Sequence, residues 1–169
     1  MDLSAINPAL LLASLLVAAT PILIAGIGEL VVERAGVLNL GVEGMMITGA
    51  ICGFMATIVT GSPALGFVFA ALGGAALSLL FALLTQVALA NQVASGLALT
   101  LFGLGLSALL GQNYVGIKPP STPKLDIPLL SDIPFFGTVL FNHDLIVYLG
   151  IAIVIIVFSV TLYFRSGAF

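Results

Sequence analysis

The chain has 169 residues, of which 61% are hydrophobic and 7% charged, with a mean hydropathy of +1.31 and a net charge of −3. Soluble domains carry about 25% charged residues, so this composition cannot cover a water-facing surface and excludes a soluble protein. Four basic residues are too few for a nucleic-acid-binding patch, so we expect no nucleic acid partner. The sequence therefore predicts an all-α fold, a polytopic transmembrane helix bundle in a lipid bilayer.

The first predicted span begins near Pro8, within a stretch of 26 uncharged residues. No positive charge precedes this stretch, and it is longer than the apolar core of a signal peptide, so we expect it to remain as a span. It ends at the densest charge cluster of the chain, formed by Glu29, Glu33 and Arg34.

Polar residues continue beyond this cluster as far as Asn39 and Glu43, interleaved with glycines and apolar residues. A charge at the centre of a membrane helix costs about 2.5–3.5 kcal/mol, so these residues belong at a helix end or at a break. We predict about five membrane segments, one of them broken near residues 34–44. Two interpretations stay open: a charged cytoplasmic turn, or an unwound segment at a substrate site or gate.

From Gly44 to Ile117 the chain has 74 residues without Asp, Glu, Lys or Arg. As one helix this run would extend about 110 Å, against about 30 Å of hydrocarbon, so it must fold back. Turn and polar residues at 61–63 and 91–92 divide it into predicted spans near residues 44–60, 64–90 and 93–113.

Small and polar residues recur on one face of the last of these spans. We expect four of them to pack closely against another helix: Gly96, Gly103, Ser107 and Gly111. Gln92 and Thr100 lie on the same face, where they either pack in the same way or line a polar cavity.

Residues 114–143 contain five prolines and four charged residues and are predicted to form an external Pro-rich loop on the membrane surface or the bundle top. The last predicted span, residues 145–164, has 20 uncharged residues and ends at Arg165. Residues 1–169 are predicted to form a single transmembrane domain. Cytoplasmic Arg34 and Arg165 would place the N-terminus and the loop outside, although two lysines of the loop oppose this orientation.

The sequence contains no His-Glu-x-x-His, Gly-x-Ser-x-Gly or cysteine-based motif for catalysis or metal binding. The chain has one histidine, His143, and one cysteine, Cys52, and it lacks a phosphate-binding Gly-Lys-Ser/Thr loop. We therefore expect no enzyme activity, no metal and no cofactor, and any use of ATP must come from another subunit. The spans after Glu43 carry no carboxylate, which argues against ion coupling by this chain itself.

Three separated segments resemble, in order, the permease subunits of ABC importers for simple sugars and nucleosides: residues 33–46 (ERAGVLNLGVEGMM), 91–100 (NQVASGLALT) and 132–137 (DIPFFG). This ribose-permease-like family works with lipoprotein receptors of the basic-membrane-protein type. The resemblance covers all 169 residues but only the N-terminal half of a typical member, ending just before the cytoplasmic segment that docks on the ATPase. Thr100 stands where many relatives have asparagine.

The resemblance implies a permease component of an ATP-driven importer for nucleosides or simple sugars, located in a bacterial-type plasma (inner) membrane. Its implied partners are an ABC ATPase subunit, a second permease subunit, a substrate-binding lipoprotein and the small-molecule substrate. This chain alone is not expected to couple ATP hydrolysis to transport. We expect five polar residues near the path or its gate, namely Asn39, Glu43, Asn91, Gln92 and Thr100, and a structural charge cluster made by Glu29, Glu33 and Arg34. The alternative is a non-transporting membrane scaffold or assembly subunit, in which polar residues only pair helices.

Overall fold

The computed structural model describes residues 7–120, 124–126 and 136–166. Within these ranges five helices are long and apolar enough to cross a membrane. They are Pro8–Arg34, Val42–Thr60, Pro63–Val87, Gln92–Tyr114 and Leu145–Tyr163. The predicted all-α, polytopic transmembrane fold is confirmed.

The elements follow one another with short connections between the first four spans. In chain order they are α1 (Pro8–Arg34), α2 (Val42–Thr60), α3 (Pro63–Ala82), α4 (Gln92–Gly111), β1 (Lys124–Asp126), α5 (Phe136–Leu140), β2 (Asn142–Asp144) and α6 (Leu145–Ser166). Helix α3 continues into a π-helical turn, Leu83–Val87, and α4 into a 3-10 turn, Gln112–Tyr114. The break predicted near residues 34–44 is the connection between α1 and α2.

The predicted external loop contains short ordered elements where the structure describes it. Strands β1 and β2 pair antiparallel, with Leu125 opposite His143. His143 is buried, and its Nε2 lies 2.7 Å from the carbonyl oxygen of Val139. Residues 121–123 and 127–135 of this loop, and residues 167–169, lie outside the described part of the chain. The external position of the loop stays a prediction.

The described residues fall into two compact units. One contains residues 7–28, 124–126 and 136–166, and in it Gly150 of α6 contacts Thr20 and Ile24 of α1. The other contains residues 29–120, including α2, α3 and α4. In this second unit a buried apolar cluster joins the three helices: Met45 from α2, Leu77 and Phe81 from α3, and Leu99 from α4.

Helix α2 is the most enclosed of the spans, with 33% of its most apolar stretch buried against 17% or less for the others. Its contact with α3 is made by small residues. A Cβ atom added to Gly53 would lie 2.7 Å from the carbonyl oxygen of Gly66 and 2.8 Å from the Cβ of Ala70. Lipid chains give no hydrophobic drive for helix association, so such backbone contacts hold α2 and α3 together through van der Waals packing.

Candidate functional site

The connection between α1 and α2 reverses the chain at Gly36. Gly36 has φ +82°, a left-handed conformation that glycine adopts without steric cost. Its N–H donates to the carbonyl of Glu33 at 2.9 Å, and the N–H of Val37 donates to that of Val32 at 3.2 Å. These two bonds form a Schellman motif, which ends α1 and sends the chain towards α4. We call residues 37–41 the strap.

Two side chains of α4 bind the backbone of the strap. The N–H of Leu38 donates to Oε1 of Gln92 at 2.8 Å, and the Oγ1 hydroxyl of Thr100 donates to the carbonyl oxygen of Leu40 at 3.0 Å. The strap has left the helix, so its backbone groups need partners from elsewhere, above all within a membrane protein. Helix α4 supplies one acceptor and one donor.

Gly96 lies between these two α4 residues and lets the strap approach. A Cβ atom on Gly96 would lie 2.9 Å from the backbone nitrogen of Leu40 and 3.0 Å from that of Gly41. Real Cβ atoms essentially never come so close to backbone atoms. Any larger residue at position 96 would therefore push the strap away from α4.

Asn39 forms the inward side of the strap and is only 6% exposed. Its N–H donates to Oε1 of Glu29 at 3.1 Å, and its own Oδ1 accepts from the N–H of Gly41 at 2.9 Å. Its amide nitrogen lies 3.5 Å from the sulfur of Met45, a weak acceptor. The bond between Asn39 Oδ1 and Gly41 fixes the last turn before α2.

The remaining candidates lie at the surface of the same unit. Glu43 is exposed in the first turn of α2, and Asn91 is exposed at the N-cap of α4, where its Oδ1 accepts from the N–H of Ala94 at 3.0 Å. Glu33 and Arg34 are both exposed, and among the described residues Arg34 makes no ion pair. No cluster of metal-ligating side chains occurs within the described ranges.

The predicted packing face of α4 contacts α2 in part. A Cβ atom added to Gly103 would lie 2.5 Å from the carbonyl oxygen of Gly44, and one added to Gly44 would lie 2.5 Å from that of Leu99. Gly111 approaches only a side chain, with Cδ1 of Ile51 at 3.4 Å, and Ser107 is half-buried. The closest crossing of α2 and α4 is thus at Gly44 and Gly103, next to the strap.

Two buried polar atoms lack a hydrogen-bond partner among the described residues: Oε2 of Glu29 and Oγ1 of Thr48. Thr57 and Thr85 illustrate the usual arrangement, since each hydroxyl donates to the carbonyl four residues earlier. No pattern in the sequence sets Thr48 apart from them. Sequence reasoning also missed the bond from Asn39 to Glu29, because hydrogen bonds to a non-helical backbone leave no periodic signal.

Comparison with known families identifies the class of this chain. Residues 11–169 match the family described as "Branched-chain amino acid transport system / permease component". The match covers most of the chain, which belongs to this family of membrane permease components. The family and the five spans together define a multi-pass protein of the plasma membrane.

Three curated proteins are similar in sequence to this chain. The putative glucose ABC transporter permease protein TsgC13 of Haloferax volcanii is 43% identical over 83% of this chain and 44% of its own length. The nucleoside ABC transporter permease protein NupC of Lactococcus lactis subsp. cremoris is 31% identical, over 94% and 53%. The guanosine ABC transporter permease protein NupQ of Bacillus subtilis is 32% identical, over 75% and 43%. The chain thus spans about half the length of these relatives, and no solved structure matches it.

Proposed function

We propose that this chain is a permease component of an ATP-driven importer for nucleosides or simple sugars and forms part of the translocation path. The observation that carries the proposal is the family match over residues 11–169. Relatives named as glucose, nucleoside and guanosine ABC transporter permeases support the substrate class. The family and these names indicate a transporter and not an enzyme.

The strap and its surroundings are the proposed site of the path or its gate. Transporters often have non-helical segments between or within membrane helices at their substrate sites or gates. Asn39, Gln92 and Thr100 meet at the strap, and Glu43 and Asn91 lie at the ends of the two helices that flank it. These five residues remain the proposed polar groups near the path, with Glu29, Glu33 and Arg34 as a structural charge cluster.

The proposed orientation places the strap on the cytoplasmic side. Both arginines that end spans, Arg34 and Arg165, would then face the cytoplasm, as the positive-inside rule favours. Residues 114–143 would lie outside, where a substrate-binding lipoprotein delivers its ligand. An ABC ATPase would supply the energy from the cytoplasm, and a second permease subunit would complete the path.

Deletion of this subunit tests the proposed function. Uptake of radiolabelled nucleosides and simple sugars is measured in cells that retain the other transporter subunits. We expect uptake of at least one of these substrates to be lost on deletion and restored by the re-introduced gene. Unchanged uptake of all of them would refute the proposal.

A second candidate is a non-transporting scaffold or assembly subunit. One observation favours it: the side-chain hydrogen bonds of Asn39, Asn91, Gln92 and Thr100 all go to the protein's own backbone or, for Asn39 Nδ2, to Met45. The triple variant Asn39→Ala, Glu43→Ala and Asn91→Ala separates the two functions. Uptake that survives these changes at normal membrane abundance favours the scaffold, and loss of uptake at normal abundance favours the path.

A further inference from the structure

One face of α4 binds the strap through its backbone alone. Gln92, Gly96 and Thr100 follow one another at intervals of four residues, which puts them on the same side of the helix. The outer two bond the N–H of Leu38 and the carbonyl of Leu40, and Gly96 lies against the backbone between them. The two hydrogen bonds involve no side chain of the strap, and the close approach at Gly96 also uses the absence of a side chain at Gly41, where an added Cβ would lie 3.2 Å from the carbonyl oxygen of Gly96.

Exposed and buried side chains alternate along the strap. Leu38 and Leu40 are 40% and 42% exposed, whereas Asn39 between them is 6% exposed. Val37 packs against the buried cluster of α2, α3 and α4. The strap is therefore fixed at its start by the apolar packing of Val37 and along its length by hydrogen bonds to α4. The side chains of Leu38 and Leu40 lie on its exposed side.

We infer that Gln92 and Thr100 are positioning residues for transport, which hold the strap in its working conformation and do not touch the substrate. The inference rests on the proposed function, and it assigns two of the five candidate path residues a role through the backbone. Loss of either bond would leave a backbone group of the strap without its partner. One hydrogen bond corresponds to about a two- to tenfold change in an equilibrium, so each change should alter the population of the held strap by that factor.

Paired substitutions separate the hydrogen bond from the bulk of each side chain. Gln92→Leu removes the acceptor, and Gln92→Glu keeps it. Thr100→Val removes the donor at nearly constant shape, and Thr100→Ser keeps it. Gly105→Ala is the control on the same helix, because no atom lies within 4 Å of the added Cβ.

The full-length permease with its partner subunits is used for two measurements: hydrogen–deuterium exchange of the peptide that contains residues 37–41, in lipid nanodiscs, and the kinetics of substrate uptake. We expect Gln92→Leu to expose about one amide, that of Leu38, to fast exchange. Gln92→Leu and Thr100→Val should each lower the maximal uptake rate about two- to tenfold with an unchanged KM. Gln92→Glu and Thr100→Ser should recover most of the lost rate.

A raised KM with unchanged exchange in Gln92→Leu would overturn the inference, since it would indicate contact with the substrate. Unchanged exchange and unchanged kinetics in both bond-removing variants would overturn it as well. If Gln92→Leu does not accumulate, Gln92→Asn, whose shorter amide cannot reach Leu38, takes its place. If the unsubstituted protein transports neither nucleosides nor sugars, the proposed function fails, while the exchange measurement still reports whether α4 holds the strap.

Discussion

Helix α2 has two contact surfaces that differ in kind. Towards α3 it presents small residues such as Gly49 and Gly53, and no side-chain hydrogen bond joins the two helices among the described residues. Towards α4 the close crossing of Gly44 and Gly103 is followed by the strap, whose backbone is bonded by α4 side chains. The first surface is held by packing alone, and the second combines packing with polar contacts to a non-helical segment.

This difference shows where a bundle of membrane helices accommodates non-helical backbone. Packed glycines bring helices together but satisfy no polar group, because the backbone bonds of a regular helix are already made internally. A segment outside a helix needs partners for its N–H and C=O groups. The strap obtains them from Gln92 and Thr100 of α4 and from Glu29 of α1.

The largest expected effect is at the crossing of α2 and α4. Gly103→Ala would place a Cβ 2.5 Å from the carbonyl oxygen and 2.8 Å from the Cα of Gly44, and backbone atoms cannot move aside cheaply. We expect the free energy of unfolding in detergent to fall by about 2–3 kcal/mol. Gly105→Ala, with no atom within 4 Å, should be neutral or slightly stabilising. Equal stability of the two variants would contradict this crossing.

Substitutions on the surface of α2 that faces α3 should lower the free energy of unfolding but leave the KM of uptake unchanged. Gly53→Ala would lie 2.7 Å from the carbonyl oxygen of Gly66, and we expect a loss of about 2 kcal/mol in the free energy of unfolding. The KM of the molecules that remain folded should not change. Gly74→Ala is the control, since its Cβ would make an ordinary contact of 3.5 Å with the carbonyl oxygen of Met45. A changed KM in Gly53→Ala would show that this surface also shapes the path.

Substitution of Gly36, where the chain reverses before the strap, should lower stability only through backbone strain. Gly36 has φ +82° and no atom within 4 Å of an added Cβ, so Gly36→Ala creates backbone strain without a clash. We expect a loss of about 1–2 kcal/mol in thermal or chemical unfolding. Gly36→Asn should lose less, because asparagine tolerates the left-handed region better. Identical losses for both variants would mean that strain at φ is not the cause.

The smallest expected effect is at the start of α4. Asn91→Ala removes the N-cap acceptor of the Ala94 N–H and should lower the free energy of unfolding by about 1 kcal/mol. Asn91→Asp keeps a capping oxygen and should preserve stability. The KM of uptake is then measured for Asn91→Asp, in which the helix cap is retained. A raised KM at normal stability would show that Asn91 acts on the substrate in addition to capping the helix.

Much of the fold follows from the sequence, because the signals involved are local. The run without charge from Gly44 to Ile117 requires three spans, and the turn at Gly61 to Pro63 and the polar pair at Asn91 and Gln92 divide it where the helices are divided. The candidate site is less predictable. The sequence singled out Asn39, Gln92 and Thr100 as polar residues, but not the atoms that they bond.

The missing information is long-range. Thr100 and Leu40 are 60 residues apart in the chain, as Gln92 and Leu38 are 54 apart, and no spacing rule links a side chain to a distant backbone group. The sequence placed Glu29 only in a charge cluster with Glu33 and Arg34. In the described residues Glu29 instead accepts from the N–H of Asn39. Whether the five polar residues line a path stays a prediction.

The placement of the strap against Gly96 of α4 is tested most directly by a substitution at Gly96. Hydrogen–deuterium exchange of residues 37–41 is measured for Gly96→Ala and Gly105→Ala in the full-length protein in nanodiscs, with peptides of α3 as an internal reference for global folding. We expect Gly96→Ala to release several amides of the strap to fast exchange while α3 stays protected, and Gly105→Ala to change neither. Unchanged protection of the strap in Gly96→Ala would contradict its placement on α4.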